Sequence, residues 1–93
     1  MRIWKWDLRI DDLQIIDMPL GAEILTVQTQ GGQPRLWAAC DETAPLRPRR
    51  IAMHGIAMHG AGHPINEHPG IYIATFQVDS GALVFHVFED VMA

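Results

Sequence analysis

The sequence predicts an all-β fold, a small single-domain barrel or sandwich of about six to seven antiparallel strands built from hairpins. Short apolar–polar alternations recur along the chain, and turns rich in glycine and proline separate them. No segment keeps the 3.6-residue apolar period of an amphipathic helix. With 93 residues the chain has the size of one domain, which we assign to residues 1–93.

The first strand is predicted over residues 3–10, where large apolar side chains occupy every second position. The alternation assigns these side chains to the core: Trp4, Trp6, Leu8 and Ile10. Two aspartates end this strand, and a second strand is predicted over residues 13–18. Residues 19–21 form a turn, because proline restricts φ and glycine permits a positive φ.

A hairpin is predicted from residues 23–30 and 33–40, joined by Gly31-Gly32 in a two-residue turn. This register pairs Val27 with Leu36 and Thr26 with Trp37. Its core face then carries five residues: Leu25, Val27, Leu36, Ala38 and Cys40.

Residues 41–48 are predicted to form a loop, followed by a strand over residues 49–55. The pentapeptide Ile-Ala-Met-His-Gly occurs at 51–55 and again at 56–60. Side chains in a strand alternate with period two, so a five-residue repeat sends its two copies to opposite faces. Either the second copy is a bulge or loop, or the strand changes its facing there. Residues 60–70 are expected to be irregular.

A second hairpin is predicted from residues 71–78 and 82–89, with Ser80-Gly81 as the loop. In this register Thr75 opposes His86 and Ile73 opposes Phe88. The apolar pairs that face each other are Ala74 with Val87, Phe76 with Phe85, and Val78 with Leu83.

Charge and composition exclude several classes of function. The net charge is −4, which argues against a duplex-DNA binder because such proteins normally carry a basic face. No apolar run reaches the roughly 20 residues that cross a bilayer, and the N-terminus has no secretory apolar core. We therefore expect no membrane partner. A single cysteine forms no internal disulfide, which fits a reducing cytosol.

Several segments together resemble a known family. They are Trp-Lys-Trp at the start, Ile-x-Met-Pro-x-Gly-Ala-x-Ile-Leu-x-Val-Gln at 16–28, residues 32–38 and 59–65, and both strands of the last hairpin. The pattern resembles a family of small uncharacterised bacteriophage proteins, a domain of unknown function. The resemblance implies a compact phage protein and brings no reaction or catalytic residues. That family carries a single Gly-x-Gly-His-Pro loop, so the second pentapeptide looks like a tandem insertion.

The candidate ligand site is an anion site. Three arginines lead into the fifth strand, and a glycine-rich loop follows it, where backbone N–H groups can converge on a phosphate. Arginine adds bidentate contacts, and an exposed indole can stack on a base. The predicted ligand-binding residues are Arg47, Arg49, Arg50, His59, Gly60, Gly62, His63 and Trp37.

Two other candidate sites are weaker. The histidines of the repeat region suggest a metal site, and zinc sites on a helix use pairs spaced i,i+4. The glycines and Pro64 disfavour a helix here and no cysteine pair lies nearby, so we expect no metal. The histidines concerned are His54, His59, His63 and His68. A polar and aromatic face is predicted from Trp37, Arg35, His86 and Phe88, with burial in a barrel or dimer as the simpler interpretation.

The leading hypothesis is a non-enzymatic phage protein in the host cytoplasm that counters host immunity by sequestering a nucleotide-type signal. No catalytic residue is predicted, because Cys40 lies on the core face and no acid stands in triad order with a histidine. No cofactor is expected, and a homo-oligomer is, because small β domains leave unpaired edges. The alternative is an inhibitor of a host or defence protein, or a minor structural phage protein.

Overall fold

The computed structural model describes residues 1–57, 70–78 and 83–90. These residues form seven strands, all paired in antiparallel fashion. The strands are β1 (Arg2–Asp7), β2 (Leu13–Pro19), β3 (Glu23–Gln30), β4 (Gln33–Cys40), β5 (Leu46–Ala57), β6 (Ile71–Val78) and β7 (Leu83–Glu89). The all-β prediction is confirmed.

The strands form two separate sheets. The three-stranded sheet has the order β1-β4-β3, and the four-stranded sheet has the order β2-β5-β7-β6. Side chains from both sheets share one core, so the fold is a sandwich and not a closed barrel. Its fully buried members come from both layers and include Leu36, Val27, Met18, Ile51 and Val87.

The first strand is shorter than the alternation predicts. Trp4 and Trp6 pack against the core and Leu8 is buried, but β1 ends at Asp7. The amide of Leu8 donates to the carbonyl of Pro34 (2.9 Å), and the carbonyl of Leu8 accepts from Nε2 of Gln33 (2.8 Å), before the chain crosses to the other sheet. The core assignment of Ile10 is therefore wrong, and its side chain is exposed on the crossover.

The hairpin through Gly31-Gly32 keeps the predicted register from Gln30↔Gln33 to Thr26↔Trp37. Beyond it a β-bulge shifts the pairing, so that Ile24 and not Leu25 lies opposite Ala38. The core assignment of Leu25 is wrong for this reason. A bulge adds one residue to one strand, so the side chains beyond it lie on the opposite side of the sheet from the one that regular alternation predicts. Leu25 is 45% exposed.

The second hairpin shows the same feature. Thr75 opposes His86, and Phe76 opposes Phe85, as predicted. A bulge between Tyr72 and Ala74 then places Tyr72, and not Ile73, opposite Phe88, so that predicted pair is wrong. The turn residues 79–82 lie outside the described part of the chain.

The fifth strand is longer at both ends than predicted. It begins at Leu46, inside the predicted loop, because Arg47 and Pro48 pair with Met18 and Asp17 of β2. It then passes from the first pentapeptide into the second without a bulge, from Gly55↔Phe85 to Ala57↔Leu83. The rest of the second copy and the predicted irregular segment to residue 69 lie outside the described residues.

The ring of Phe85 leaves too little space for a side chain at position 55. A Cβ at Gly55 would lie 2.5 Å from Cε1 of Phe85, whose ring stacks on Phe76 with 5.4 Å between centroids. An aromatic ring therefore covers the glycine on the core side of the sheet. None of the described residues belongs to a helix long and apolar enough to cross a membrane.

Candidate binding face on the four-stranded sheet

The four-stranded sheet turns one side to the core, and we call the opposite side the outer sheet face. One line of cross-strand partners on this face is apolar in all four strands. This apolar row consists of Leu13, Ala52, Phe88 and Tyr72. At about 4.8 Å per strand it spans roughly 14 Å. An open sheet face normally carries polar side chains, so the row is unexpected here.

Phe88 is the centre of the apolar row. It is only 9% exposed although no second layer covers this side of the described sheet. The rings of His54 and Tyr72 both pack edge-on against it, each with a centroid distance of 5.6 Å. Tyr72 itself is 58% exposed. Two aromatic rings thus pack against the buried ring of Phe88, and one of them, Tyr72, is exposed to solvent.

A polar row borders the apolar row on one side, formed by His54, His86 and Thr75 as direct cross-strand partners. The hydroxyl of Thr75 lies 2.8 Å from Nδ1 of His86 and 2.7 Å from the hydroxyl of Tyr72. This chain of bonds holds the His86 ring by one nitrogen.

The other border is ionic. Ile15 lies opposite Arg50 on this side. Both Nε and Nη2 of Arg50 lie 3.4 Å from Oδ2 of Asp90, a long and half-exposed pair. Asp17 is exposed on the same strand as Ile15 and has no ion-pair partner among the described residues.

The predicted arginines do not share a face. Arg49 points to the core side, because neighbouring residues of a strand alternate. Its guanidinium makes a two-pronged ion pair with Glu89 and donates from Nη1 to the carbonyl of Ala22 at 2.9 Å. The bond to Glu89 raises the pKa of Arg49. Arg47 is exposed and donates to the carbonyl of Leu46.

Trp37 belongs to the other sheet. Its ring is half-buried on the outer side of the three-stranded sheet, between Lys5 and Thr26 on the neighbouring strands. Arg35 lies on the same side and pairs with Asp7 at 3.1 Å. The predicted face of Trp37, Arg35, His86 and Phe88 is therefore wrong as a single surface, since the sandwich separates its members.

The remaining predicted ligand-binding residues lie outside the described part of the chain: His59, Gly60, Gly62 and His63. No group of three or more metal-ligating side chains occurs within residues 1–57, 70–78 and 83–90. Cys40 is buried as predicted, and burial raises the pKa of its thiol.

Sequence reasoning missed the outer sheet face because its rows depend on strand order. Leu13, Ala52 and Phe88 come from three distant segments that become neighbours only when β7 inserts between β5 and β6. The available signal was the spacing of Phe85 and Phe88, which places them on opposite sides of β7, so one of the two had to point away from the core. Tyr72 joins Phe88 on the outer side only because of the bulge between Tyr72 and Ala74.

A family model described as a domain of unknown function, DUF7352, matches residues 1–92. No curated protein and no solved structure matches the chain.

Proposed function

Because this chain belongs to the DUF7352 family of domains of unknown function, we propose its function from its own surface: a non-enzymatic protein that docks a protein partner on the outer sheet face. The observation that carries the proposal is the apolar row across all four strands. Interfaces concentrate their energy in a few aromatic and apolar residues enclosed by polar groups. The apolar row with its polar and ionic borders has that composition.

The partner that fits this face offers apolar side chains with basic groups beside them. Ile15 and Tyr72 are 59% and 58% exposed, which leaves them accessible to a partner's apolar side chains. Asp17 is exposed on the same side of β2 as Ile15, and the whole chain has a net charge of −4. Opposite charge at the rim of an interface steers association and selects against acidic partners.

The resemblance to small bacteriophage proteins supports a setting for this binding. In that setting the chain acts in the host cytoplasm and inhibits a host or defence protein. Docking alone is sufficient for such inhibition, so no turnover is required. The chain would also act as a homo-oligomer, since each sheet of the described residues ends in two edge strands, and an edge strand can pair with a second copy.

A matched pair of isoleucines tests the docking proposal. Ile15 lies on the outer sheet face, and Ile3, which is 65% exposed, lies on the outer side of the other sheet. A photo-crosslinking residue at each position, followed by purification of any host protein captured from infected cells, identifies the partner. Binding of that purified partner is then measured for Ile15→Gln, Tyr72→Ala and Ile3→Gln.

We expect Ile15→Gln and Tyr72→Ala to weaken binding at least tenfold, which corresponds to the loss of one interface anchor. Ile3→Gln is expected to bind as the unmodified chain does. Equal losses for both isoleucines, or crosslinking through position 3 only, would remove the outer sheet face as the docking surface.

A second candidate function is the sequestration of a nucleotide-type immune signal. It is favoured by Trp37, whose ring lies on an open sheet side next to Lys5. Aromatic rings on open sheets stack on bases, and a neighbouring cation contacts phosphate.

Thermal unfolding with cyclic dinucleotides and with ADP-ribose tests this candidate. A ligand that binds only the folded chain raises the midpoint by mass action. We expect the shift to disappear in Trp37→Ala and to survive in Tyr72→Ala. No shift at millimolar nucleotide would end this candidate, and consumption of the nucleotide, seen by chromatography, would show an enzyme instead.

A further inference from the structure

We propose that His54 and His86 form a two-imidazole site for a divalent transition-metal ion such as Zn²⁺ on the outer sheet face. The proposal is independent of the docking function. It rests on the register of the sheet, which makes these two histidines direct cross-strand partners.

The register sets the distance between the two rings. Directly opposed residues of an antiparallel pair have Cβ atoms about 4.5–5.5 Å apart and point to the same side. Imidazole nitrogens bind zinc at about 2.0–2.1 Å, so two tetrahedral nitrogen ligands stand roughly 3.4 Å from each other. Two imidazoles on opposed positions of neighbouring strands can span that distance without a change in the backbone.

One ring nitrogen of His86 already has a fixed hydrogen-bond partner. Its Nδ1 lies 2.8 Å from the hydroxyl of Thr75, which leaves Nε2 directed away from this bond. Metal-binding histidines typically donate their second ring N–H to a fixed acceptor, which sets the tautomer. With the proton on Nδ1, His86 donates to Thr75, and Thr75 in turn donates to the hydroxyl of Tyr72.

His54 completes the site by a side-chain rotation. Its ring now rests edge-on against Phe88, which stands two positions from His86 on the same side of β7. The proposed site requires this ring to rotate about χ1 from Phe88 toward His86. With two protein ligands, the remaining coordination positions belong to water or to a donor from a bound molecule, as at zinc sites that keep open positions.

Calorimetric titration of the full chain with Zn²⁺ tests the proposal. We expect one ion per chain, with affinity lowered at least tenfold in His54→Ala and in His86→Gln. Thr75→Val should lower it by about tenfold, since loss of an outer-shell partner typically costs 10- to 100-fold. The matched control changes the other three histidines together, His59, His63 and His68 to Asn, and should keep the affinity.

Imidazole nitrogen NMR provides a second measurement that a change in stability does not imitate. Zn²⁺ should shift Nε2 of His86 while Nδ1 stays protonated, and circular dichroism confirms that each variant is folded. Absence of Zn²⁺ binding by the unmodified chain would overturn the proposal. So would binding that persists in His54→Ala with His86→Gln and is lost in the triple control.

Discussion

The outer side of the three-stranded sheet carries mainly polar and charged side chains, whereas the outer sheet face of the four-stranded sheet carries the apolar row. Trp37 on the first side stands between Lys5 and Thr26, while Phe88 on the second is enclosed by Tyr72 and His54. Both sides follow the same strand alternation, so alternation alone does not explain the difference. The first side has the polar composition of a solvent-exposed sheet face, whereas the second carries the apolar row on which we propose that a partner docks.

The largest expected effect is on Phe88. Phe88→Ala should destabilise the fold by about 3 kcal/mol, because a ring that is only 9% exposed is lost together with its contacts to Tyr72 and His54. Trp37→Ala should cost clearly less, since its ring is half-buried on the open side. Urea unfolding of both variants measures the difference. Equal losses would mean that the two outer sides are packed alike.

Arg49 forms an ion pair on the core side of its sheet, whereas Arg50 and Arg35 form ion pairs on the two outer sides. Arg49→Met should cost about 2–3 kcal/mol, because it leaves Glu89, whose side chain is 16% exposed, without its charged partner. Arg50→Met and Arg35→Met, on the two outer sides, should each cost about 0–1 kcal/mol, as half-exposed pairs do. Urea unfolding of the three variants at low and high salt measures the loss of stability at the core-side pair and at the outer pairs. A loss for Arg50→Met as large as that for Arg49→Met would contradict the exposed placement of its pair.

The thiol of Cys40 reports whether a substitution on either outer side has opened the core. Burial raises its pKa in the folded state, so its contribution to stability is complete below the unfolded thiol pKa of about 8.5. That contribution is lost as the pH rises through the higher folded pKa. We expect slow labelling by a thiol reagent at pH 8, and an alkaline loss of stability that is smaller in Cys40→Ala. Rapid labelling of the native chain would contradict this.

The smallest expected effects are those of Ile15→Gln and Ile3→Gln on folding. Both side chains are more than half exposed, so each change should alter the free energy of unfolding by no more than about 0.5 kcal/mol. Urea unfolding checks this before any binding experiment. A large loss for Ile15→Gln would show that the outer sheet face contributes to folding itself.

The sequence predicted the hairpins but not their bulges. Gly31-Gly32 determines the pairing of Val27 with Leu36, because a two-residue turn leaves one register that keeps apolar residues together. The bulges at Leu25 and Ile73 lie farther from the turns, and a bulge bends its strand and increases the local twist. No local residue pattern predicts where these two bulges lie.

The candidate face was only partly predictable. His86 and Phe88 were predicted to share a face, and they do. Their neighbours Ala52, His54 and Leu13 could not be predicted, because each is brought in by the strand order β2-β5-β7-β6. Likewise, Arg49 and Arg50 read as one cationic cluster in the sequence, but alternation and two distant carboxylates separate them.

By itself the sequence determined the all-β class, the two hairpins and the burial of Cys40, Val27 and Leu36. These follow from alternation and turn chemistry, which act over a few residues. Only the tertiary structure decided that β7 lies between β5 and β6, that two sheets remain open as a sandwich, and that an apolar row faces outward. Those outcomes depend on contacts between residues some 40 positions apart, such as Arg49 with Glu89, for which local sequence carries no signal.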